Sequence, residues 1–310
     1  MDTHELLSRI TRLPIIADGF AEDMLSGNFR SIFKGQGLEF DEARHYQWGD
    51  DAKAIDWNAS ARLGTPFIKM YREERELAIH LILDVSASMH SGPATLWDNE
   101  NAGLNIYEQA LIAASLIAFS AERGGQRVGA FLYDRQIDRV FPPRKGRTSV
   151  LTFISGALQY HKTAKTNNKH TESNARLCTS NLQAAISGAQ RMLKRRSMVI
   201  LISDFLSIGW EQELSDLCRK HDVIAIRVND PNEENLTDLG LVIMEDPETG
   251  RQLAAPTGSS SFRDSWARWH RDRHDLWLNL CRRTGVTHLE LPVNTDAVSA
   301  LTRFFGGRSR

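Results

Sequence analysis

The chain has 310 residues, enough for one or two domains of ordinary size. Apolar residues make up 41% and charged residues 25%, the balance of a soluble globular protein, which excludes wholesale disorder. Lys plus Arg number 38 against 39 Asp plus Glu, giving a formal net charge of −1, so the global basic footprint of a nucleic-acid binder is missing.

In chain order, a short amphipathic start (Leu6, Leu7, Ile10) and a Gly35-Gln36-Gly37 turn lead into FDEARHYQWGDDAKAIDWNASARLG. Neither period 2 nor period 3.6 survives across that run, which predicts ordered loops and short turns. Phe67 to Tyr71 alternates like a strand. From about residue 77 strands and helices take turns. LAIHLILDV is a nearly unbroken apolar run, typical of a strand buried on both faces. Tyr107 to Glu122 is a helix apolar on most sides, hence deeply packed. Arg127 to Tyr133 is a strand with Gln136 to Phe141 as its hairpin partner. Ser149 to Tyr160 and Asn181 to Lys194 are helices, separated by a polar, mobile loop over 161–176. Ser197 to Ser203 is a second buried strand, Glu211 to His221 a helix and Val223 to Val228 a third core strand. Leu241 to Met244 and Arg251 to Ala255 suggest an edge hairpin. A long helix, Phe262 to Arg283, carries Trp266, Trp269, Leu276, Trp277 and Leu280 on one side. Val286 to Leu291 and Asp296 to Phe305 close the chain as strand and helix. Strands joined through helices of this length require crossover connections, so the expected fold is α/β, a doubly wound, mostly parallel sheet. The expected division is an irregular N-terminal extension, 1–75, and the α/β domain, 76–310.

Cys178, Cys218 and Cys281 lie far apart with no Cys-x-x-Cys, which speaks against a disulfide scaffold or zinc knuckle and for a reducing compartment. The longest apolar stretch, Ala110 to Phe119, is half the ~20 residues that a membrane-spanning helix needs. MDTHELLSRI lacks the basic-then-apolar order of a secretory signal, and the expected location is the cytoplasm.

The informative segment is Leu81 to Met89, LILDVSASM. An apolar strand ends in a carboxylate followed by hydroxyls at i+2 and i+4, and in extended chain Asp84, Ser86 and Ser88 point the same way. They then converge beyond the C-terminal edge of a parallel sheet, where open α/β folds place ligands. Hard oxygens suit Mg²⁺ or Mn²⁺ better than zinc. A second apolar strand runs into Ser203-Asp204 and brings another carboxylate to that edge. Between them Cys178-Thr179-Ser180-Asn181 precedes a helix, with Ser180 or Asn181 as its cap and a hydroxyl able to close an octahedral oxygen site.

LDVSASM resembles the Asp-x-Ser-x-Ser metal-ion-dependent adhesion site of von Willebrand factor type A domains. In that pattern Ser180 falls where a Thr is usual, which leaves Thr179 or Ser180 as the ligand, and Asp204 falls at the second Asp. The block GLEFDEARHYQWGDDAKAIDWNASARLGTPFIKMYREERE resembles the signature of the domain of unknown function 58 family through Arg44, Tyr46, Gly49-Asp50-Asp51, Ile55-Asp56-Trp57, Ala61-Arg62 and Glu73 to Glu76. Lys53 departs from a common arginine, and the His90 to Asn105 loop is long. The resemblance covers residues 30 to 240. It implies a metal held by Ser86, Ser88 and Ser180, with Asp84 and Asp204 binding directly or through water, and a partner whose acidic side chain completes the coordination. Members of this family tend to be encoded beside MoxR-type AAA+ ATPases, so the resemblance implies such an ATPase or its client as partner, in protein assembly or maturation. A site with two carboxylates leaves the cation electrophilic, which agrees with an acidic partner.

The expected function is therefore a non-enzymatic, metal-dependent binding module. The alternative is a metal-dependent hydrolase of phosphoesters in which Asp84 and Asp204, or Asp50, Asp51 and Asp56, activate water, with His90 the nearest base. A third possibility is a degenerate site that serves as a scaffold. The plainer expectation for Asp50, Asp51 and Asp56 is pairing with Arg44, Lys53, Arg62 and the Arg72/Arg75 run. His270 and His274 have zinc-helix spacing but no Glu follows His270, so a solvated face is expected. Trp97 reads equally as a partner anchor or as packed on its own domain. Asp230 to Glu248 carries seven acids and no base, read as a solvated edge. The basic triplets Arg144-Lys145-Arg147 and Lys194-Arg195-Arg196 are short. Phosphate-loop, dinucleotide and nucleophile-elbow motifs do not occur.

Overall fold

Backbone pairing organises the N-terminal segment whose sequence suggests only loops and turns. In the computed structural model, which describes residues 38–47, 50, 55–73, 78–90, 104–167 and 181–306, β1 (Leu38–His45) runs antiparallel to β2 (Phe67–Glu73). Helix α1 (Trp57–Leu63) lies between them in sequence. The register slips between Phe40 and Glu42, so β1 holds one residue more than its partner. That bulge breaks the period-2 alternation and hides the strand from a pattern reading, whereas β2, where FIKMY lies, keeps its alternation. The division expected at 75/76 falls within 74–77, outside the described residues.

The apolar runs form the main sheet. β3 (Ala78–Asp84), β4 (Arg127–Tyr133), β5 (Ile137–Arg144), β6 (Met198–Ser203), β7 (Asp222–Asn229) and β10 (Thr287–Pro292) lie in the order β10-β7-β6-β3-β4-β5. All neighbours are parallel except β4 and β5. Counted within this sheet the order is 6-5-4-1-2-3, a doubly wound arrangement, as expected. Its direction of winding reverses between β3 and β6, the place where such sheets open a crevice beyond their strand ends. β5 forms one edge and contains Pro142 and Pro143.

Helices cover both faces. On one face β3, β6 and β7 side chains pack with α2 (Ile106–Arg123), α3 (Arg147–Asn167) and α8 (Ala297–Gly306). On the other they pack with α4 (Leu182–Met192), α5 (Glu211–Lys220) and α7 (Ser260–Thr284). Helix α2 is buried from Ile106 to Ala121, as its uniform apolarity predicts. Asn105 and Glu108 close its start with a reciprocal capping box. A short α6 (Pro231–Glu234) follows β7.

Four expectations need correction. Helix α3 continues through 161–167, the first part of the stretch expected to be a mobile loop; 168–180 lies outside the described residues. β8 (Leu241–Glu245) and β9 (Gln252–Pro256) form their own two-stranded sheet rather than an edge of the main one. The buried residues of α7 are His270, Trp277 and Cys281, while Trp269 and Leu276 face outward, because the sheet and α5 cover only a narrow stripe of it. His270 is thus buried against Trp266 and Trp269 rather than solvated, and burial lowers its pKa.

His80, on β3, is buried beside Phe131 with its Nδ1 unpartnered, and burial first, then the charge of His221, depresses its pKa from 6.5 to about 4. A depressed folded-state pKa means that the unfolded chain binds the proton more readily. The neutral ring's contribution is therefore complete above pH 6.5 and lost as pH falls toward 4, at a cost on the order of 3 kcal/mol. Urea unfolding at pH 7.5 and pH 4.5 should show this loss, and His80→Gln should flatten it; an unchanged slope in the variant would assign the acid sensitivity elsewhere.

Candidate functional site

β3 and β6 are hydrogen-bonded neighbours, so Asp84 and Ser203 end side by side at the crevice where the sheet reverses its winding. The chain after β3 does not stay extended. Asp84 Oδ1 accepts the Ser86 N–H at 3.0 Å, turning the backbone, and Ser88 opens a 3₁₀ turn (Ser88–His90). The two hydroxyls converge nonetheless, with Ser86 Oγ 3.1 Å from Ser88 Oγ. Convergence thus comes from an Asp-anchored turn and not from strand alternation.

Asp84 is wholly enclosed. Its Oδ2 accepts hydrogen bonds from the Tyr133 and Ser203 hydroxyls, both at 2.8 Å. Burial and then the Asp204 charge push its pKa up, against the bonds from Ser86 and Ser203. Asp204, only 4% exposed, is also pushed up by burial, opposed by the Leu206 amide, the Ser88 hydroxyl, the Arg227 charge and the Ser203 hydroxyl. Its Oδ1 accepts the Leu206 N–H at 3.0 Å, while its buried Oδ2 has no hydrogen-bond partner. The next residue, Phe205, holds φ at 56°, the lone non-glycine positive φ among the described residues, and is clamped by Trp210 and Trp277. A bulky residue in that conformation is strained, and such strain persists where the surroundings over-determine it.

Of the expected ligands, Asp84, Ser86, Ser88 and Asp204 come together. Ser180 and Thr179 lie outside the described residues. Asn181 caps α4 by accepting the Ala184 N–H, and its own N–H donates to the Asp134 carbonyl at the end of β4, tying this segment to the same sheet edge.

The donor set tests well against a small hard cation. Two adjacent buried carboxylates repel, and one carboxylate oxygen has no donor, a pattern that Mg²⁺ or Mn²⁺ would satisfy. Ser86 and Ser88 would supply neutral oxygens, and Asp84 and Asp204 charge. Among the described residues no three His, Cys, Asp or Glu side chains gather as a metal cluster, so any cation here depends on the hydroxyls.

Sequence reasoning passed over four contributors. Tyr133 and Ser203 read simply as strand ends, yet they fix Asp84. Arg227 sat inside an apolar strand; it is buried, pairs with Glu234 at 3.0 Å, and its positive charge favours the ionised form of Asp204. Glu248 belonged to an acidic run expected to be solvated, but its Oε1 accepts the Ser88 N–H at 2.9 Å, and burial, then Asp134 and Asp204, raise its pKa. No period or motif in the sequence links residues 88 and 248.

The other candidates do not assemble a second centre among the described residues. Asp50 pairs bidentately with Arg44 at 2.7 and 3.0 Å, which holds its carboxyl below the usual range. Asp56 starts α1 by accepting the Asn58 N–H at 3.0 Å, a capping role. Asp51 and Trp97 lie outside the described residues. His90 packs its ring at a tilt against Tyr107, and His274 bonds to Glu290.

Comparisons with known proteins agree with the family resemblance. An uncharacterised protein of Mycobacterium tuberculosis is 29% identical over 313 residues, covering 100% of this chain and 92% of its own length. An uncharacterised Mycobacterium avium protein is 33% identical over 42% of this chain and 76% of its own. Among solved structures, the type A domain of SpRpn10 shares 11% identity, 74% of this chain and 95% of its own, with a TM-score of 0.36. Proximal thread matrix protein 1 of the mussel byssus shares 16% identity over 50% of this chain and 38% of its own, at 0.32. Neither likeness is close enough to carry function across. A family model matches residues 42–275, three-quarters of the sequence, and the chain therefore belongs to the family described as protein of unknown function DUF58.

Proposed function

We propose that this protein is a metal-dependent protein-binding module. Mg²⁺ or Mn²⁺ would sit at the C-terminal edge between β3 and β6, held by Ser86, Ser88 and Ser180, with Asp84 and Asp204 binding directly or through water. The observation that carries this reading is the buried, unpartnered Oδ2 of Asp204 beside the buried Asp84. A bound cation would supply the positive charge that lets both ionise, and would leave one coordination position for an acidic side chain of a partner. The sheet's order and winding support a fold of the protein-interaction kind. The family's association with MoxR-type AAA+ ATPases makes such an ATPase, or its client, the partner we infer, in protein assembly or maturation. A cytoplasmic setting is part of the same reading; among the described residues no helix is long and apolar enough to cross a membrane.

The test is calorimetric titration of metal-free protein with Mg²⁺ and Mn²⁺, beside Asp84→Ala. One-site binding lost in the variant is the expected result. Binding that survives in Asp84→Ala would overturn the ligand set. Turnover of a simple phosphoester by the isolated protein with Mn²⁺, lost in the same variant, would install the hydrolase in place of the binding module.

A further inference from the structure

The turn between β8 and β9 is wired to present a carboxylate. Asp246 organises it: Oδ1 accepts the Glu248 N–H at 3.0 Å, Oδ2 accepts the Thr249 hydroxyl at 2.6 Å, and its carbonyl accepts the Gly250 N–H at 2.7 Å. Gly250 takes φ 67°, the left-handed conformation that lets the turn close. Glu248 is thereby fixed at the tip, reaching the Ser88 amide across 160 residues of sequence. It lies within the influence of two other carboxyl groups, Asp134 and Asp204, although like charges oppose that placement.

Among the described residues the hairpin's strands pair only with each other, and its outer face exposes Leu241 (73%) and Ile243 (71%). At its base Thr257 accepts the Leu239 N–H at 3.1 Å and donates to the Gly240 carbonyl at 2.9 Å. The Glu248 carboxylate ties the tip to the domain through the Ser88 amide.

We infer that Glu248 is an internal stand-in for the partner's acidic side chain, holding the mouth of the site until an outside carboxylate displaces it. This inference rests on the metal-dependent reading above. The internal group has the chemistry expected of the partner, sits on one of the two hydroxyl-bearing residues of the motif, and rides on a hairpin that is not part of the main sheet. A competitor that fills a position nine-tenths of the time weakens an outside ligand about tenfold.

Full-length wild type, Glu248→Gln and Glu248→Ala would be loaded with Mn²⁺ and titrated with acetate, the displacement of Mn²⁺-bound water being read from water-proton relaxation. Both variants should keep Mn²⁺ and bind acetate about tenfold more tightly than wild type. Equal acetate affinity in all three, with Mn²⁺ bound, would overturn the stand-in role and leave the metal site intact. Failure of wild type to bind Mn²⁺ would overturn both readings at once. Hydrogen exchange gives an independent arm: the Ser88 amide should lose protection in Glu248→Ala, and unaltered protection would contradict the contact itself.

Discussion

Asp84→Asn should abolish binding of divalent cations while leaving the cation-free protein more stable than wild type, by about 1–3 kcal/mol. The replacement keeps the volume and the side-chain oxygen, and the Tyr133 and Ser203 hydroxyls can rotate to accept from the new amide. What disappears is one of two buried like charges, each disfavoured by its surroundings. Because the folded-state pKa of Asp84 is raised, its favourable contribution is complete below the ordinary carboxylate range and fades as pH rises through the folded value. The variant's advantage should therefore be small near pH 4 and largest above neutrality. With Mg²⁺ at a thousand times its dissociation constant the order reverses, since wild type gains about 4.1 kcal/mol and the variant nothing. Urea unfolding with and without Mg²⁺ at two pH values checks every part of this. A variant less stable than wild type without cation would show that Asp84 serves mainly to hold the fold together.

The second large effect is expected far from any ligand. Trp277 is 1% exposed and packs against Phe205, His274 and His288. Trp277→Ala should cost about 3–5 kcal/mol through lost burial and the cavity left behind. Leu276→Ala, one residue away but at 64% exposure, should change stability by no more than about 0.5 kcal/mol. The loss at Trp277 should also reach the site. Phe205 is held in its strained conformation partly by that indole, and it is the middle residue of the turn that Asp204 closes on the Leu206 N–H, its own N–H donating to Ser203 Oγ. Weaker Mg²⁺ binding in folded Trp277→Ala is thus expected; undiminished affinity would show that Trp210 alone suffices to clamp Phe205.

The main sheet was legible because strands buried on both faces leave uninterrupted apolar runs, and Leu81 to Asp84 and Met198 to Ser203 could hardly be anything else. Asp84, Ser86, Ser88 and Asp204 were legible for a related reason, since polar residues right after such runs must lie at the sheet's edge. The mechanism that gathers them was not, because a side chain turning its own backbone looks the same in sequence as plain alternation. β1 was concealed by one extra residue. His270 and Arg227 were misread or overlooked because burial of a charged or polar group depends on what the rest of the chain packs around it. Glu248 lay beyond reach for the same reason: only the folded hairpin brings it to Ser88.

Pro142 and Pro143 have a consequence for how anything can approach this molecule. Both lie on β5, the outermost strand on that side, and neither offers a backbone N–H. A partner strand laid along β5 would lack a backbone donor there, so lengthening the sheet sideways is disfavoured on that edge. Recognition is steered away from that flank and toward the rim where the parallel strands terminate. On the β5 side a visitor is admitted end-on, as a projecting loop or helix tip, more readily than as an added ribbon.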